Sequence, residues 1–248
     1  MPTIEKKITT KTPIDSLFAV GAHFGLIRSR RHPSTKPFIF GVKNKVEIFD
    51  LEKTVESLEK AKEFIKSQVS TGGLILFVGG KNEARASVLS GAQSAGQPVV
   101  AGRWLGGTLT NFQEIKKRIA RLEDLTSQRE KGELVKYTKK ERLLIDREII
   151  KLERDFGGIS SMRFAPKALF VIDPKREYIA VAEAKRLNIP VVALASSDCD
   201  IRGIDYPIPG NDASQKSIAY FVGQIVDAVL EGKRLATVAP APATVETK

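Results

Sequence analysis

Short, continuous apolar runs recur along the chain, separated by longer segments in which apolar residues have a helical spacing. Leu74–Val78 is the first such run, and glycine pairs bound it on both sides. Further short strands are predicted at Pro98–Ala101, Ala168–Ile172, Pro190–Ala195 and Asp205–Ile208. Continuous apolar runs are typical of parallel strands that are buried on both faces. Strands that alternate with helices predict an α/β fold with a doubly wound parallel sheet.

Apolar residues three or four positions apart predict the helices. The clearest pattern predicts a helix from Leu51 to about Ser70, in which the apolar residues share one face. Asn82 is a candidate cap for the helix that follows the first buried strand. Two short strands, Phe38–Phe40 and Val46–Phe49, form a predicted hairpin ahead of these elements. The other predicted helices span 14–24, the segment after Asp173-Pro174 through Arg186, and Asp212–Leu230.

Residues 111–156 break the alternation of strands and helices. Two highly charged segments carry apolar residues at near-heptad spacing, which predicts two helices packed as an antiparallel, coiled-coil hairpin. Their apolar seam is narrow, so we expect the hairpin to project from the α/β domain. The predicted domains are a core of residues 1–110 and 157–233, an inserted hairpin of 111–156 and a disordered tail of 234–248. The seam consists of Ile115, Ile119, Leu122, Leu125, Ile145, Ile149, Leu152 and Phe156.

The composition narrows the class of protein. A chain of 248 residues, 42% of them hydrophobic, can bury one sizeable core. No run approaches the roughly 18 apolar residues of a transmembrane helix, and the first residues lack the apolar core of a secretory signal. Cys199 is the only cysteine, which excludes an internal disulfide. These features predict a cytoplasmic protein in a reducing compartment, with no membrane partner.

Positive charge is concentrated in one segment. The formal net charge is +11, and residues 26–45 contain six basic residues and no acidic one, more than half of the surplus. The alternative to a binding surface is a solvated charged loop, which normally mixes both signs. We therefore predict that this segment contacts RNA or DNA, mainly through phosphates. The candidate residues are Arg28, Arg30, Arg31, His32, Lys36, Lys43 and Lys45.

A glycine-flanked segment, Arg103–Asn111, is the second candidate site. It follows a predicted parallel strand, and α/β proteins place their sites at such carboxyl ends. Arg103 and Thr110 are candidate phosphate contacts, and Trp104, the only tryptophan, would orient the protein on RNA. In the alternative interpretation, Trp104 fills the base of the hairpin and Asn111 only caps a helix. The positive surface would continue along the hairpin through Lys116 and Lys117.

The glycines after the first parallel strand do not match a nucleotide site. Gly79-Gly80-Lys81 lacks the first glycine of a phosphate-binding loop, because Ile75 stands in its place. Asn82 stands where that loop needs Ser or Thr, and no Gly-x-Gly-x-x-Gly motif occurs in the chain. We predict no nucleotide cofactor and no small-molecule substrate.

Four aspartates lie in loops after the later strands. Such residues can hold magnesium or supply acid–base groups, but loop aspartates more often cap helices and close turns. Two histidines and one cysteine make a zinc site and a Ser-His-Asp or Cys-His catalytic set poor fits. We predict no catalytic residue, no metal and no cofactor. The aspartates are Asp198, Asp200, Asp205 and Asp212.

Several motifs occur in a fixed order over roughly residues 10–233. They are Ala22–Gly25, Lys36–Gly41, Ile48–Thr54, Phe77–Lys81, Arg103–Asn111, Ala168–Pro174 and Ile204–Ala213. Together they resemble the second small-subunit ribosomal protein family in its bacterial or organellar form. The resemblance implies a flavodoxin-like α/β domain with a protruding helical hairpin and no catalytic activity.

The same resemblance implies a structural constituent of the small ribosomal subunit. Such a protein binds small-subunit ribosomal RNA between head and body and supports translation. Its implied partners are neighbouring ribosomal proteins, including the large messenger-binding one that it helps to dock. Its implied location is the ribosome of the cytoplasm, or of a plastid or mitochondrion.

The chain departs from the family pattern within the basic segment. Leu26 stands where the family has a second histidine, and Arg31-His32 stand where it has a Trp-Asn pair. Asp198 replaces the asparagine that precedes the cysteine. Because a guanidinium is planar, we predict that Arg31 replaces the tryptophan by stacking on a base.

Two other classes of function compete with RNA binding. One is an enzyme on a nucleotide or sugar phosphate that uses Lys81 and the loop aspartates. The other is a protein-interaction scaffold whose hairpin is the working part. The missing phosphate motifs disfavour the enzyme, and the focused charge of residues 26–45 disfavours the scaffold.

Overall fold

The computed structural model describes residues 12–238, which form seven helices and eight strands. The helices are α1 Pro13–Ala19, α2 Leu51–Ser70, α3 Asn82–Ser94, α4 Phe112–Glu130, α5 Lys139–Phe156, α6 Tyr178–Arg186 and α7 Gln215–Val238. The strands are β1 Phe24–Ile27, β2 Ile39–Lys43, β3 Val46–Phe49, β4 Ile75–Val78, β5 Val99–Val100, β6 Ala168–Ile172, β7 Val191–Ala195 and β8 Tyr206–Pro209.

Five strands form a parallel sheet in the order β5-β4-β6-β7-β8. Ile75 of β4 is paired with Ala168 of β6, and Leu169 of β6 with Val191 of β7. The chain moves from β4 to β5 on one side and then returns to β6 on the other side. This reversal of strand order defines a doubly wound sheet of the flavodoxin type and confirms the predicted fold class.

Alternate residues of each parallel strand face opposite layers. Phe77 and Phe170 belong to a buried cluster with α2, α3 and α7, and their rings pack edge to face with centroids 5.4 Å apart. Leu76 and Leu169 belong to the opposite cluster, with α4, α5 and α6. All four side chains are fully buried. The strands are apolar at every position because both faces of the sheet are covered.

Strands β1, β2 and β3 form a separate antiparallel sheet with β3 in the middle. Its β2–β3 turn consists of Asn44 and Lys45, with φ of +51° and +66°, the backbone that a two-residue hairpin turn requires. The predicted helix over 14–24 is too long, because α1 ends at Ala19. Gly21, with φ of +73°, terminates it in the left-handed conformation, and the unpredicted strand β1 follows.

Ser197, two residues after β7, fixes the small sheet to the parallel sheet. Its Oγ accepts a hydrogen bond from the N–H of Leu26 at 3.0 Å. Its carbonyl oxygen accepts from the N–H of His32 at 2.8 Å and from Oγ1 of Thr35 at 2.9 Å. Ser197 and Thr35 are buried. The basic segment therefore lies at the carboxyl edge of the parallel strands.

Helices α4 and α5 pack against each other along their apolar positions. Leu125 and Ile149 are almost fully buried there, and the side chains of Arg121 and Glu148 meet at 3.3 Å across the pair. Thr138 caps α5 through a reciprocal set of hydrogen bonds with the first helical turn. The seam shares its buried cluster with the parallel sheet. That residues 111–156 form a separate, projecting domain stays a prediction.

Two predicted boundaries differ from the structure. Asn82 is the first residue of α3, and Lys81 occupies the cap position without a side-chain hydrogen bond to the helix. Helix α7 runs to Val238, so residues 234–238 are helical and do not belong to a disordered tail. The rest of that predicted tail, 239–248, lies outside the described residues. No helix within 12–238 is long and apolar enough to cross a membrane.

Candidate nucleic-acid interface

Four basic residues lie at one end of the small antiparallel sheet. The N–H of Arg28 donates to the carbonyl oxygen of Lys45 at 3.0 Å, and Lys43 is paired with Val46, the next residue along β3. Arg30 lies two residues after Arg28 in a 3-10 turn. Arg28, Arg30, Lys43 and Lys45, which we call the basic edge, are all exposed, and none forms an ion pair within residues 12–238. The structure thus brings together four of the predicted contacts.

Arg31 is engaged by the protein itself. Its Nη1 donates to Oε1 of Glu47 at 3.2 Å, and the Glu47 side chain is fully buried, whereas 25% of the Arg31 side chain is exposed. Oε2 of Glu47 has no hydrogen-bond partner in the described part of the chain. Arg31 therefore compensates a buried carboxylate. This geometry does not favour the predicted stacking of Arg31 on a base.

His32 precedes the 3-10 turn Pro33–Phe38, and Lys36 lies within that turn. Nδ1 of His32 is 2.7 Å from Oγ of Ser34 and 3.7 Å from a carboxylate oxygen of Asp200. The His32 side chain is partly exposed, at 29%. Lys36 is exposed and makes no ion pair within the described residues. Both side chains are accessible to a ligand.

Glu183 of α6 holds the segment Arg103–Asn111 in place. Trp104 is only 4% exposed, and its indole N–H points at the Glu183 carboxylate. Trp104 thus has almost no surface for RNA, and the interpretation in which it packs inside fits the structure better. The donors to Glu183 are Nε1 of Trp104 at 3.2 Å and the N–H groups of Gly107, Leu109 and Thr110 at 2.7, 2.9 and 3.1 Å.

These hydrogen bonds also set the protonation of Glu183. Burial by itself raises the pKa of this carboxyl, but the donors from Thr110, Leu109, Gly107 and Trp104 outweigh burial and hold the pKa below its ordinary value. The hydroxyl of Thr110 is 3.2 Å from the same carboxylate, so Thr110 is partly engaged as well.

Arg103 is the member of this segment that stays free for a ligand. It is exposed and forms no ion pair within residues 12–238. It lies at the same carboxyl edge as the basic edge. Arg103 follows β5, whereas the small sheet that carries the basic edge is attached after β7. Three strand spacings, about 14 Å, separate β5 from β7.

Two predicted contacts on α4 already have partners. Lys117 pairs with Glu114, with 2.6 Å between Nζ and Oε1. Nζ of Lys116 lies 5.1 Å from the ring centroid of Phe112 and 5.9 Å from that of Phe164. Both lysines remain near the surface, but less charge is available from them than from the basic edge.

The crevice between β4 and β6 is occupied by the protein's own charged groups. Open α/β sheets bind ligands at this place, where the strand order reverses. Here Nζ of Lys81 is 3.1 Å from Oδ2 of Asp173 and 3.3 Å from Oδ2 of Asp212. The N–H of Gly80 donates to Oε1 of Glu177 at 3.1 Å. The glycine turn is therefore closed by a carboxylate and does not form an open phosphate cradle.

Asp173, Cys199 and Asp212 place three potential ligand atoms within 4.8 Å of one another, but they do not fit a metal ion. The ammonium of Lys81 already supplies the positive charge. Burial raises the pKa of the Cys199 thiol to about 12, so the thiol is neutral beside this ion pair. Of the predicted loop aspartates, Asp198 bonds to Lys175, Asp200 to Arg202 and Asp205 to the N–H of Val191.

Sequence reasoning gave no separate role to Glu47 or Glu183. Both carboxylates are buried, and each organises a neighbouring segment. A signal for Glu183 was present, because it lies between the apolar Ala180, Val181 and Ala184 on the buried face of α6. A glutamate at such a position needs a partner. The partner of Glu47 depends on the pairing of β1 with β3, which the sequence did not predict.

Comparison with known proteins identifies one family. A sequence model described as "Ribosomal protein S2" matches residues 17–232. The protein of Solidesulfovibrio magneticus named "Small ribosomal subunit protein uS2" is 45% identical over 216 residues, which are 87% of this chain and 84% of that protein.

Proteins of the same name from other bacteria are equally similar. The one from Desulfatibacillum aliphaticivorans is 46% identical over 226 residues, 91% of this chain and 77% of its own length. The one from Nocardia farcinica is 45% identical over 225 residues, 91% of this chain and 78% of its own length. The similarity thus extends over both the α/β core and the helices α4 and α5.

Proposed function

Because the chain belongs to the ribosomal protein S2 family, and is therefore a structural constituent of the small ribosomal subunit and not an enzyme, we propose that it binds the RNA of that subunit through the basic edge. The RNA lies along the carboxyl edge of the parallel sheet. We also propose that the protein lies between the head and the body of the subunit. Its ribosome is that of the cytoplasm or of an organelle.

The observation that supports this proposal is the uncompensated charge of the basic edge. Arg28, Lys43 and Lys45 lie where β1 and β2 end and β3 begins, and they have no acidic partner in residues 12–238. Exposed like charges held together repel one another, and a polyanion removes that repulsion. Lys36 and Arg103 add further positive charge, whereas Lys116, Lys117 and Thr110 contribute less because they already have partners.

A salt titration tests the proposal. The affinity of the purified protein for small-subunit ribosomal RNA is measured over a range of monovalent salt concentrations. Each neutralised phosphate contributes about −0.7 to −0.9 to the slope of log K against log salt. Replacing Arg28, Lys43 and Lys45 together by Gln should reduce the slope by about two to three units. A flat response of the wild-type protein contradicts RNA binding through charge.

Helix α2 offers a control with the same change in net charge. Lys60, Lys62 and Lys66 are paired with Glu56, Glu59 and Glu231. Replacing these three lysines by Gln should leave the slope within about half a unit of the wild-type value. An equal loss of slope in both triple variants would show that net charge matters and the position of the charge does not.

We also propose that the protein contacts neighbouring ribosomal proteins, and helps to dock the large messenger-binding one, through exposed apolar side chains. Phe40 on β2 is 82% exposed, Phe18 64% and Phe24 47%. Exposed large apolar groups favour burial against a partner. Phe40→Ser should weaken retention of the messenger-binding protein on reconstituted subunits while RNA affinity stays the same. Unchanged retention contradicts this part of the proposal.

A further inference from the structure

A cavity of about 440 Å³ opens beside α6 at the carboxyl edge of the parallel sheet. One wall is the face of α6 that carries Tyr178, Ala182 and Lys185, and the opposite wall is the loop of residues 198–204. His32, from the basic segment, lines it as well. The volume falls within the range of sites that hold small organic groups, roughly 300–1,000 Å³.

The lining combines aromatic, apolar and hydrogen-bonding groups. Val181 and Ile204 are nearly buried and provide an apolar floor. Tyr178 is 66% exposed, although it is the largest apolar side chain of the lining. An aromatic side chain left in solvent at the mouth of a cavity is suited to stack on a planar ligand. The cavity therefore favours a flat, partly polar group.

Both carboxylates that line the cavity are paired with a basic side chain. Nζ of Lys175 is 2.7 Å from Oδ2 of Asp198, and the guanidinium of Arg202 holds both oxygens of Asp200 at 3.0 and 2.9 Å. These carboxylates retain further lone pairs that can accept hydrogen bonds from amino groups. Lys185 is exposed and forms no ion pair within residues 12–238, so one uncompensated positive charge also lies at the cavity, while Asp198 and Asp200 offer acceptors to the amino groups of a base.

His32 links the cavity to the basic edge. His32 lies two residues after Arg30, and its N–H is fixed to the carbonyl oxygen of Ser197, whose Oγ holds Leu26. An RNA strand whose phosphates follow the basic edge therefore passes the mouth of the cavity. A Cβ at position 203 would meet the end of the Lys185 side chain, which is flexible and would have to move aside.

We propose that this cavity holds one unpaired base of the bound RNA, stacked on Tyr178 and bordered by His32. The inference rests on the proposed RNA binding and adds a base-specific contact to it. Phosphates at the basic edge supply affinity, and the carboxylates of Asp198 and Asp200 favour a base with an exocyclic amino group. The aromatic stacking is tolerant of base identity, whereas the amino group gives preference.

Two variants of the full chain test the cavity by opposite changes. Tyr178→Ala removes the stacking surface, and Ala182→Leu fills the cavity from the same helix. Each should weaken binding to small-subunit ribosomal RNA about tenfold, the usual effect of losing one stacked base, with no change in salt slope. The matched control is Ala86→Leu, the same substitution at an exposed position of α3 outside the cavity, which should bind like the wild type.

Chemical probing of the RNA gives an independent measurement. Dimethyl sulfate, a carbodiimide and kethoxal together report the accessibility of all four bases. The wild-type protein should protect one unpaired base that both cavity variants leave reactive, while the thermal unfolding of the variants shows that they are folded. Wild-type affinity in both variants, with every protection retained, overturns the inference.

The outcomes separate the two proposals. A flat salt response of the wild-type protein contradicts the proposed RNA binding as a whole. A normal wild-type salt slope with unaffected cavity variants contradicts only the base contact. A reduced salt slope in the cavity variants also contradicts it, because these side chains would then be acting on phosphates.

Discussion

Glu183 is a single buried carboxylate that orders nine residues of chain. It accepts five hydrogen bonds, one each from Trp104, Gly107 and Leu109 and two from Thr110, and it is 8% exposed. Glu183→Ala leaves these donors without their acceptor, and each buried, unpaired donor costs about 1–3 kcal/mol. We expect the free energy of unfolding in urea to fall by about 3 kcal/mol or more, and Trp104 fluorescence to shift to longer wavelength.

A glutamate on the surface provides the control for this prediction. Glu63 of α2 is exposed, and Glu63→Ala should change the free energy of unfolding by less than about 0.5 kcal/mol. If Glu183→Ala is no more destabilising than Glu63→Ala, the segment Arg103–Asn111 does not depend on its carboxylate.

Asp212 predicts a dependence of stability on pH. Burial, with the nearby charge of Asp173, raises its pKa from 3.8 to about 6, although Lys81 opposes this change. A carboxyl with a raised pKa in the folded state stabilises the fold below its unfolded pKa and loses this contribution as the pH rises through the folded value. Relative to Asp212→Asn, the wild-type protein should therefore lose stability between about pH 4 and pH 6.

Urea unfolding of both proteins at several pH values measures this difference. Glu183 acts in the opposite direction, because its lowered pKa removes stability as the pH falls. The comparison with Asp212→Asn cancels that contribution, since both proteins contain Glu183. A constant difference between the two proteins from about pH 4 to pH 6 would show that Asp212 does not titrate in this range.

The sequence located the candidate surface but not the role of each cation in it. The absence of acids in residues 26–45 was enough to predict the basic edge. It was not enough to show that Arg31 is paired while Arg30 is not. The partner of Arg31, Glu47, lies on β3, outside residues 26–45. Charge counting along the chain cannot detect a partner that is brought close by strand pairing. The sequence likewise does not decide whether Trp104 is buried, because its partner Glu183 is distant along the chain and is brought close only by the fold.

At the level of elements, the sequence was most informative where an apolar pattern was long. Helix α2 has the predicted bounds, Leu51–Ser70, because its apolar positions repeat over five turns between a capping aspartate and a glycine pair. The strand β1 was missed, since four residues that include Gly25 carry no usable period. Helix α3 begins at Asn82 although that residue was assigned as its cap, a difference within the usual uncertainty of helix ends.

The packing of α4 against α5 gives a prediction with two adjacent residues. Ile149 is fully buried between the helices, whereas Ile150 is 64% exposed. Ile149→Ala leaves a cavity in the seam and should reduce the free energy of unfolding by about 2–5 kcal/mol. Ile150→Ala should change it by less than about 0.5 kcal/mol. Similar effects of the two substitutions, measured by urea unfolding, would contradict the observed orientation of α5.

At the scale of the whole molecule, the fold and its site separate two kinds of charge. Lys81, Asp173 and Asp212 fill the crevice where a flavodoxin-type sheet would otherwise bind a ligand. Their ion pairs stabilise the fold at that place. The cations of the basic edge lie at one end of the small antiparallel sheet, which Ser197 holds at the same carboxyl edge. The fold thus keeps the usual position of an α/β binding site and presents a positively charged surface beside it.

This separation predicts how the protein leaves the small subunit. Raising monovalent salt from about 0.1 to about 0.4 M should lower the affinity roughly 100- to 500-fold if five phosphates are neutralised. The chain should therefore co-sediment with small subunits at low salt and be released by a high-salt wash. The variant lacking Arg28, Lys43 and Lys45 should leave at lower salt than the wild type, whereas the α2 variant lacking Lys60, Lys62 and Lys66 should not. Retention of the wild-type protein through the high-salt wash would mean that apolar contacts with neighbouring proteins, and not phosphates, dominate its binding.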